Sequence, residues 1–344
     1  MPSRKAELGE WQALAILQSA LGSGPGPSAR KSAKKSLPPK SSSGAAAAAA
    51  VRVGIGDDAA VLDVKAGALV WTTDACLEGV HYKHEWLSAE DLAWKSIHAA
   101  VSDVAAMGAR PVGIRCHVTL PSSVDEVWLR HFARGQKAAA EAAGCAVVGG
   151  NLARGPRLDV VTTVLGDASK GTLLRSGAAV GDEVWLVGEV GRARLGLRLL
   201  EKKARVTDAA GRACLTAFRR PRAQIAAGIG LLDRATACLD VSDGLVGDAG
   251  HLARASEVAL VLSQELVLET ASDGFVRTAM SLDIDPLDAL LFGGEDYALL
   301  ATGPKRKRPK GAQVLGHVEA GQGVWLDVEG EPRRELSGGF EHGR

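Results

Sequence analysis

The chain has 344 residues, room for two ordinary domains, and its 46% hydrophobic and 24% charged content is enough to build a packed core. A formal net charge of +1 and an aromatic content of 4% provide neither a basic field nor stacking platforms, so the composition argues against nucleic-acid and membrane partners. Five scattered cysteines without a CxxC pair, no apolar run long enough to cross a bilayer, and Glu7 and Glu10 where a signal peptide would be apolar predict a reduced, cytoplasmic protein.

Leu8, Trp11, Ala15 and Leu17 fall near one face of a short amphipathic helix over residues 4–21, so residues 1–21 are assigned to an N-terminal helix. Residues 22–50 are rich in Ser, Pro, Gly and Lys, end in six alanines, and carry five positive charges and no acid. That composition lacks the apolar surface to offset ordering entropy and reads as a flexible low-complexity linker. Within it, Ala29-Arg30-Lys31-Ser32 ends like a phosphate-binding loop, but no Gly precedes the Lys.

From residue 51 the chain alternates strand and helix patterns. Ala59–Val64 and Ala68–Thr73 read as strands, with Asp74 at the end of the second. Ser88 caps a helix running to about Met107 and stopped by Gly108, with Asp91 in the capping-box position. Val112, Ile114, Cys116, Val118 and Leu120 alternate as one face of a strand, and a second helix is capped by Ser123 and ends near Gly144. Strands follow at Cys145–Val148 and Leu158–Leu165, then a boundary within Gly171–Gly181. Beyond it come a strand at Glu183–Val187, a turn at Gly188 and Gly191, and a helix over Ala193–Lys202. A further helix is expected to start at Pro221. Cys238–Val241 reads as a strand feeding Ser242-Asp243-Gly244 and another helix, with later strands at Ala259–Leu262, Tyr297–Ala301 and Val324–Val328.

The chemistry lies in where the acids sit. Asp57-Asp58 follow Gly54-Ile55-Gly56, Asp74 sits at a strand end, Asp103 lies in a helix, and Asp240 and Asp243 flank Ser242. Carboxylates gathered in poorly hydrated places repel one another unless cations neutralise them. Oxygen ligands without His or Cys partners point to Mg²⁺, which usually also holds nucleotide phosphates. Each acid also has a structural reading: Asp57 or Asp58 as an Asx-turn residue, Asp243 as a helix cap. Gly149-Gly150 and Gly293-Gly294, beside Asn151 and Glu295, could bring backbone N–H groups close to phosphate or could be plain tight turns. Neither a Walker A sequence nor a protein-kinase Gly-rich loop is present.

GIGDDAAVL, TTDACLEGVH, SDVAAMGARP, VVGGN, RSGAAVGD, LDVSDGLVGDAGHLARAS and FGGEDYALL occur in an order and spacing that resembles the thiamine-monophosphate kinases over residues 51–344. The resemblance implies a two-domain α/β fold with mixed sheets, similar to aminoimidazole ribonucleotide synthetase. Residues 51–170 would form an ATP- and Mg²⁺-binding domain that builds a homodimer through its sheet, and 171–344 a C-terminal α/β domain. It further implies ATP-dependent, in-line phosphoryl transfer to thiamine monophosphate, giving thiamine diphosphate. Asp58, Thr72, Thr73, Asp74, Asp103, Asp240 and Asp243 match metal positions, and Asp58, Asp74, Asp103 and Asp243 are the catalytic candidates. Gly150, Arg175 and Ser242 match nucleotide contacts, and His81, Glu295 and Phe340 match substrate contacts. His81 could instead belong to a charged surface loop with Glu78, His84 and Glu85, and Phe340 could cover a core edge.

Two positions depart from the family pattern. Asn151 stands where Asp is usual, at a position assigned to both metal and nucleotide, and Ala100 stands where Asn is common. An amide offers one oxygen and no charge. The alternatives are therefore another ATP-using enzyme of the same superfamily, or a degenerate nucleotide-binding protein.

Overall fold

A computed structural model describes residues 51–53, 57–64 and 67–338. The expected helix over residues 1–21, the linker over 22–50, the Gly54–Gly56 turn and Phe340 lie outside the described residues.

Two sheets organise the chain. The first contains β1 (Val51–Val53), β2 (Ala60–Val64), β3 (Gly67–Cys76), β4 (Arg110–Leu120), β5 (Val147–Arg154) and β6 (Asp159–Asp167), in the order β1-β2-β3-β6-β4-β5. All its pairings are antiparallel except β4 with β5. One face packs against α1 (Ala89–Ala106) and α2 (Glu126–Ala142): Val70, Ile114, Val118, Val160 and Val164 join Leu92, Ile97, Val101 and Phe132 in one core. The opposite face carries Trp71 and Thr73, both exposed, and Arg115.

The second sheet contains β7 (Glu183–Val187), β8 (Ala237–Val241), β9 (Ala259–Ser263), β10 (Ala298–Gly303), β11 (Gln313–Glu319), β12 (Gly323–Asp327) and β13 (Arg334–Leu336), in the order β13-β12-β9-β11-β7-β10-β8. Between its strands lie α3 (Arg192–Glu201), α4 (Ala209–Arg219), α5 (Ile225–Leu231), α6 (Leu245–Ser256), α7 (Gln264–Glu269), α8 (Asp273–Ser281) and α9 (Pro286–Phe292). A third, smaller cluster joins Ala106 of α1 to Leu231 of α5 and to Trp185, Cys238 and Leu299 of the second sheet. There α1 and α5 approach so closely that a Cβ on Gly228 would stand 1.9 Å from the Ala105 carbonyl oxygen. Helix α1 is thus covered by both halves, which explains why it is buried on nearly every side.

Several expectations shift in detail. Ser88 caps α1, accepting from the Asp91 N–H at 3.1 Å. The cap of α2 is Asp125, not Ser123, and accepts from the Trp128 N–H at 2.7 Å. β3 continues to Cys76, so Asp74 lies within a strand rather than at its end. On β4, Ile114, Cys116, Val118 and Leu120 are buried as expected, but Val112 is exposed because the register shifts between Pro111 and Gly113. Pro221 does not open a helix. The segment after it is held by tertiary bonds, from Trp94 Nε1 to the Pro221 carbonyl at 2.7 Å and from the Ala223 N–H to His98 Nδ1 at 3.3 Å, and α5 begins at Ile225.

Candidate active site

Strand β3 alternates, so Thr72 and Asp74 point to the face covered by α1 while Thr73 points away, its hydroxyl 3.0 Å from that of Thr163. Thr72 donates to Asp103 Oδ2 at 2.5 Å, joining the strand to the last turns of α1. Asp240 is the penultimate residue of β8, which lies at the edge of the second sheet. These elements converge: one carboxylate oxygen each from Asp58, Asp103 and Asp240 lies within 4.8 Å of the others.

Such a cluster is electrostatically costly. Burial, then Asp240 and Asp58, hold the Asp103 carboxyl well above the usual carboxylate range. Burial and Asp58 push Asp240 up to about 7, and burial and Asp58 likewise lift Asp57 to about 7. Arg175 offsets part of the charge. Its Nε donates to Asp58 Oδ1 at 2.9 Å, its Nη2 bonds the same oxygen, and its backbone N–H donates to Asp57 Oδ2 at 3.3 Å. The other oxygen of Asp58, Oδ2, is buried and has no hydrogen-bond partner among the described residues. A hard, all-oxygen donor set with an unpartnered carboxylate oxygen fits Mg²⁺.

Asp103 and Asp240 line a cavity of about 710 Å³, with Thr73, Asp74, Ser242, Asp243, His81 and Glu295 also on its walls. His81 sits in a turn, its Nδ1 accepting from the Leu77 N–H at 3.0 Å. The loop carrying Ser242 and Asp243 is fixed by Asp248 of α6, whose Oδ2 accepts from both backbone N–H groups at 3.0 Å. Asp296 similarly accepts from Gly191 N at 2.6 Å and Ala193 N at 2.8 Å, tying the start of α3 to the wall residue Glu295. Burial pushes Asp296 up to about 7.

The glycine pairs have packing reasons. A Cβ on Gly150 would meet the Cys116 carbonyl oxygen at 2.0 Å, and one on Gly294 would meet the Ser242 carbonyl oxygen at 2.5 Å. Gly149 and Gly150 lie inside β5, an exposed edge strand, rather than in a turn. Asn151 pairs in register with His117, and its Nδ2 lies 3.1 Å from His117 Nδ1. It therefore faces the side of the sheet away from Thr72 and Asp103, and one copy of the chain does not bring it to the acid triad.

Sequence reasoning passed over Lys95, Asp248 and Asp296. Lys95 had a signal, a cation set in an apolar helix. Asp248 had another, an acid in the first turn of a helix that follows a motif loop.

Residues 56–168 match the family described as AIR synthase related protein, N-terminal domain. The chain is 35% identical over 276 residues to the thiamine-monophosphate kinase of Aquifex aeolicus, covering 79% of this chain and 89% of that protein. Against the Escherichia coli K12 enzyme of the same name it is 35% identical over 294 residues, covering 84% and 86%. The solved structure of AaThiL complexed with AMPPCP and TMP superposes with a TM-score of 0.83 at 30% identity, covering 99% of each chain.

Proposed function

The chain belongs to the thiamine-monophosphate kinase family, and we propose on that premise that it transfers the γ-phosphoryl group of ATP to the phosphate of thiamine monophosphate, giving thiamine diphosphate. The observation that carries this reading is the convergence of Asp58, Asp103 and Asp240, the last two on the wall of a cavity large enough for a nucleotide and an acceptor. The structural relative that binds both AMPPCP and TMP supports the same pair of ligands for this chain.

The acceptor is a phosphate monoester whose oxygen is already anionic near neutral pH, so no side chain has to remove a proton. The obstacle is repulsion between two polyanions. Mg²⁺ held by Asp58, Asp103 and Asp240, with Asp74 and Asp243 beside them, would supply the positive charge that screens this repulsion and the charge of the transition state. Thr72 orients Asp103 by its hydroxyl, and Thr73, whose side chain faces away, has only its backbone to offer. Arg175 holds Asp58 and is assigned to the nucleotide, as is Ser242, whose loop Asp248 orients. His81 and Glu295, on the same cavity, are assigned to the acceptor, together with Phe340. For Gly150 and Asn151 the ordered motif is the support, and both would meet a nucleotide only from the exposed face and edge of the first sheet.

That exposed face also supports a homodimer. Trp71 is 52% exposed, and Val112 and Val148 expose 47% and 68% of their surfaces on the same sheet. Sheets rarely leave such a face in water. The reading places the boundary between the halves at residues 170 and 171. The reading keeps the enzyme in the cytoplasm, and no described helix is long and apolar enough to cross a membrane.

The test is ADP release with thiamine monophosphate, thiamine and aminoimidazole phosphates offered separately. Thiamine monophosphate should be the preferred acceptor. Preference for another acceptor, or nucleotide binding without turnover, would contradict the reading.

A further inference from the structure

Lys95 has no part in the reading above, yet it lines the same cavity as Asp103. Both belong to α1, and with Ala99 midway they recur every fourth residue, so the three share one stripe of the helix. At the α-helical rise the two charged ends of that stripe stand about 12 Å apart along the axis. Asp103 marks the acid-triad end. Lys95 marks the other.

The Lys95 ammonium is held in three ways although its side chain is only 1% exposed. Nζ lies 3.2 Å from Glu295 Oε2, donates to the Phe218 carbonyl oxygen at 3.0 Å, and sits 4.2 Å from the Phe218 ring centroid. A buried ion pair is weak support for stability, because an apolar side chain of similar volume commonly serves as well. The pair needs another explanation, and the backbone of Glu295 offers one. Glu295 has φ +65 and Tyr297 φ +55, left-handed conformations that non-glycine residues rarely adopt. The turn is fixed by bonds from Glu295 N to the Ser242 carbonyl at 2.7 Å and from Tyr297 N to the Val241 carbonyl at 2.9 Å. A strained backbone on one side and an ammonium on the other together hold one carboxylate at the cavity wall.

We propose that Lys95 is a positioning residue for the acceptor. By engaging Oε2 it fixes Glu295 so that the carboxylate meets the N–H-bearing ring at the end of the acceptor remote from its phosphate, while the acceptor phosphate lies toward Asp103. The α1 stripe thereby sets the length of acceptor that fits, with Ala99 leaving the floor open between the two ends. This rests on the thiamine-monophosphate reading.

Calorimetric titration of the full chain with thiamine monophosphate, and separately with a non-hydrolysable ATP analogue and Mg²⁺, tests it. Lys95→Met should weaken thiamine monophosphate roughly tenfold or more and leave the nucleotide nearly unchanged. Glu295→Gln should do the same, and the double variant should be no worse than Glu295→Gln alone, since both changes remove one interaction. Lys95→Gln, which keeps a donor for the Phe218 carbonyl, is the second variant should Lys95→Met fold poorly, with the same expectation. Ala99→Leu should exclude thiamine monophosphate and spare the nucleotide. Unchanged acceptor binding in the Lys95 variants, equal weakening of both ligands, or additive effects in the double variant would overturn the proposal while leaving the kinase reading intact. Failure of the unaltered chain to bind thiamine monophosphate would overturn both.

Discussion

At the residue scale the acid triad sets function against stability. An Asp whose folded pKa is raised binds more protons folded than unfolded, so stability falls as pH rises from its unfolded value toward its folded one. For Asp240 that window runs from about 4 to about 7. Asp103→Asn removes from beside Asp58 and Asp240 a carboxyl whose ionisation the fold opposes. It should therefore raise the melting temperature of the Mg²⁺-free protein at neutral pH while lowering kcat by orders of magnitude, and thermal unfolding with parallel assays would check both. A variant that is both less stable and fully active would contradict the assignment. His98 has the opposite sign. Burial and Arg222 lower it to about 4, and it stacks on Trp94 at a centroid distance of 4.6 Å. The unfolded chain takes up its proton first, so stability is lost as pH falls from about 6.5 to about 4, worth about 3 kcal/mol over that range. His98→Asn, whose Oδ1 can stand in for Nδ1 toward Ala223 N–H, should lack this slope in urea denaturation at pH 7 and pH 4.5.

At the element scale α1 matters most, because it carries Lys95, Ala99 and Asp103 and is packed by both halves of the protein. Ser88→Ala should cost roughly 1 kcal/mol through loss of its cap while leaving kcat almost unchanged, since the cap lies at the opposite end of the helix from Asp103. Urea denaturation and steady-state assays on the same preparation would check this. This helix was legible in the sequence, as were β7, β8 and the α6 entry, because cap, periodicity and stop signal agreed. Where tertiary contact decides, local signals failed. Pro221 looked like a helix start but is held by Trp94 and His98, residues more than a hundred positions away. Gly149 and Gly150 could be read as a phosphate approach or as a tight turn, yet they lie in a strand, where the Cys116 carbonyl leaves no room for a Cβ on Gly150. The site was legible as a set of residue types, since the acids brought together in the triad stood out by chemistry and motif order. Its depth was not, because Lys95 and Asp248 act through partners far away in the chain or through the backbone of a loop.

At the scale of the whole molecule, the two sheets clamp α1, and among the described residues nothing covers one face of the first sheet. If that face joins two copies, Trp71→Lys should shift sedimentation from dimer to monomer, because a charge would be buried without a partner. A concentration-independent monomer for the unaltered chain would contradict the homodimer. The central claim is phosphoryl transfer to a phosphate at an acid triad suited to Mg²⁺. Its most direct test is chromatographic identification of product after incubating the purified chain with ATP and thiamine monophosphate, across a Mg²⁺ titration and with EDTA. The account predicts thiamine diphosphate and ADP in equal amounts, rising with Mg²⁺ and absent with EDTA. Folded protein that yields no thiamine diphosphate at any Mg²⁺ concentration, or yields it equally in EDTA, would contradict it.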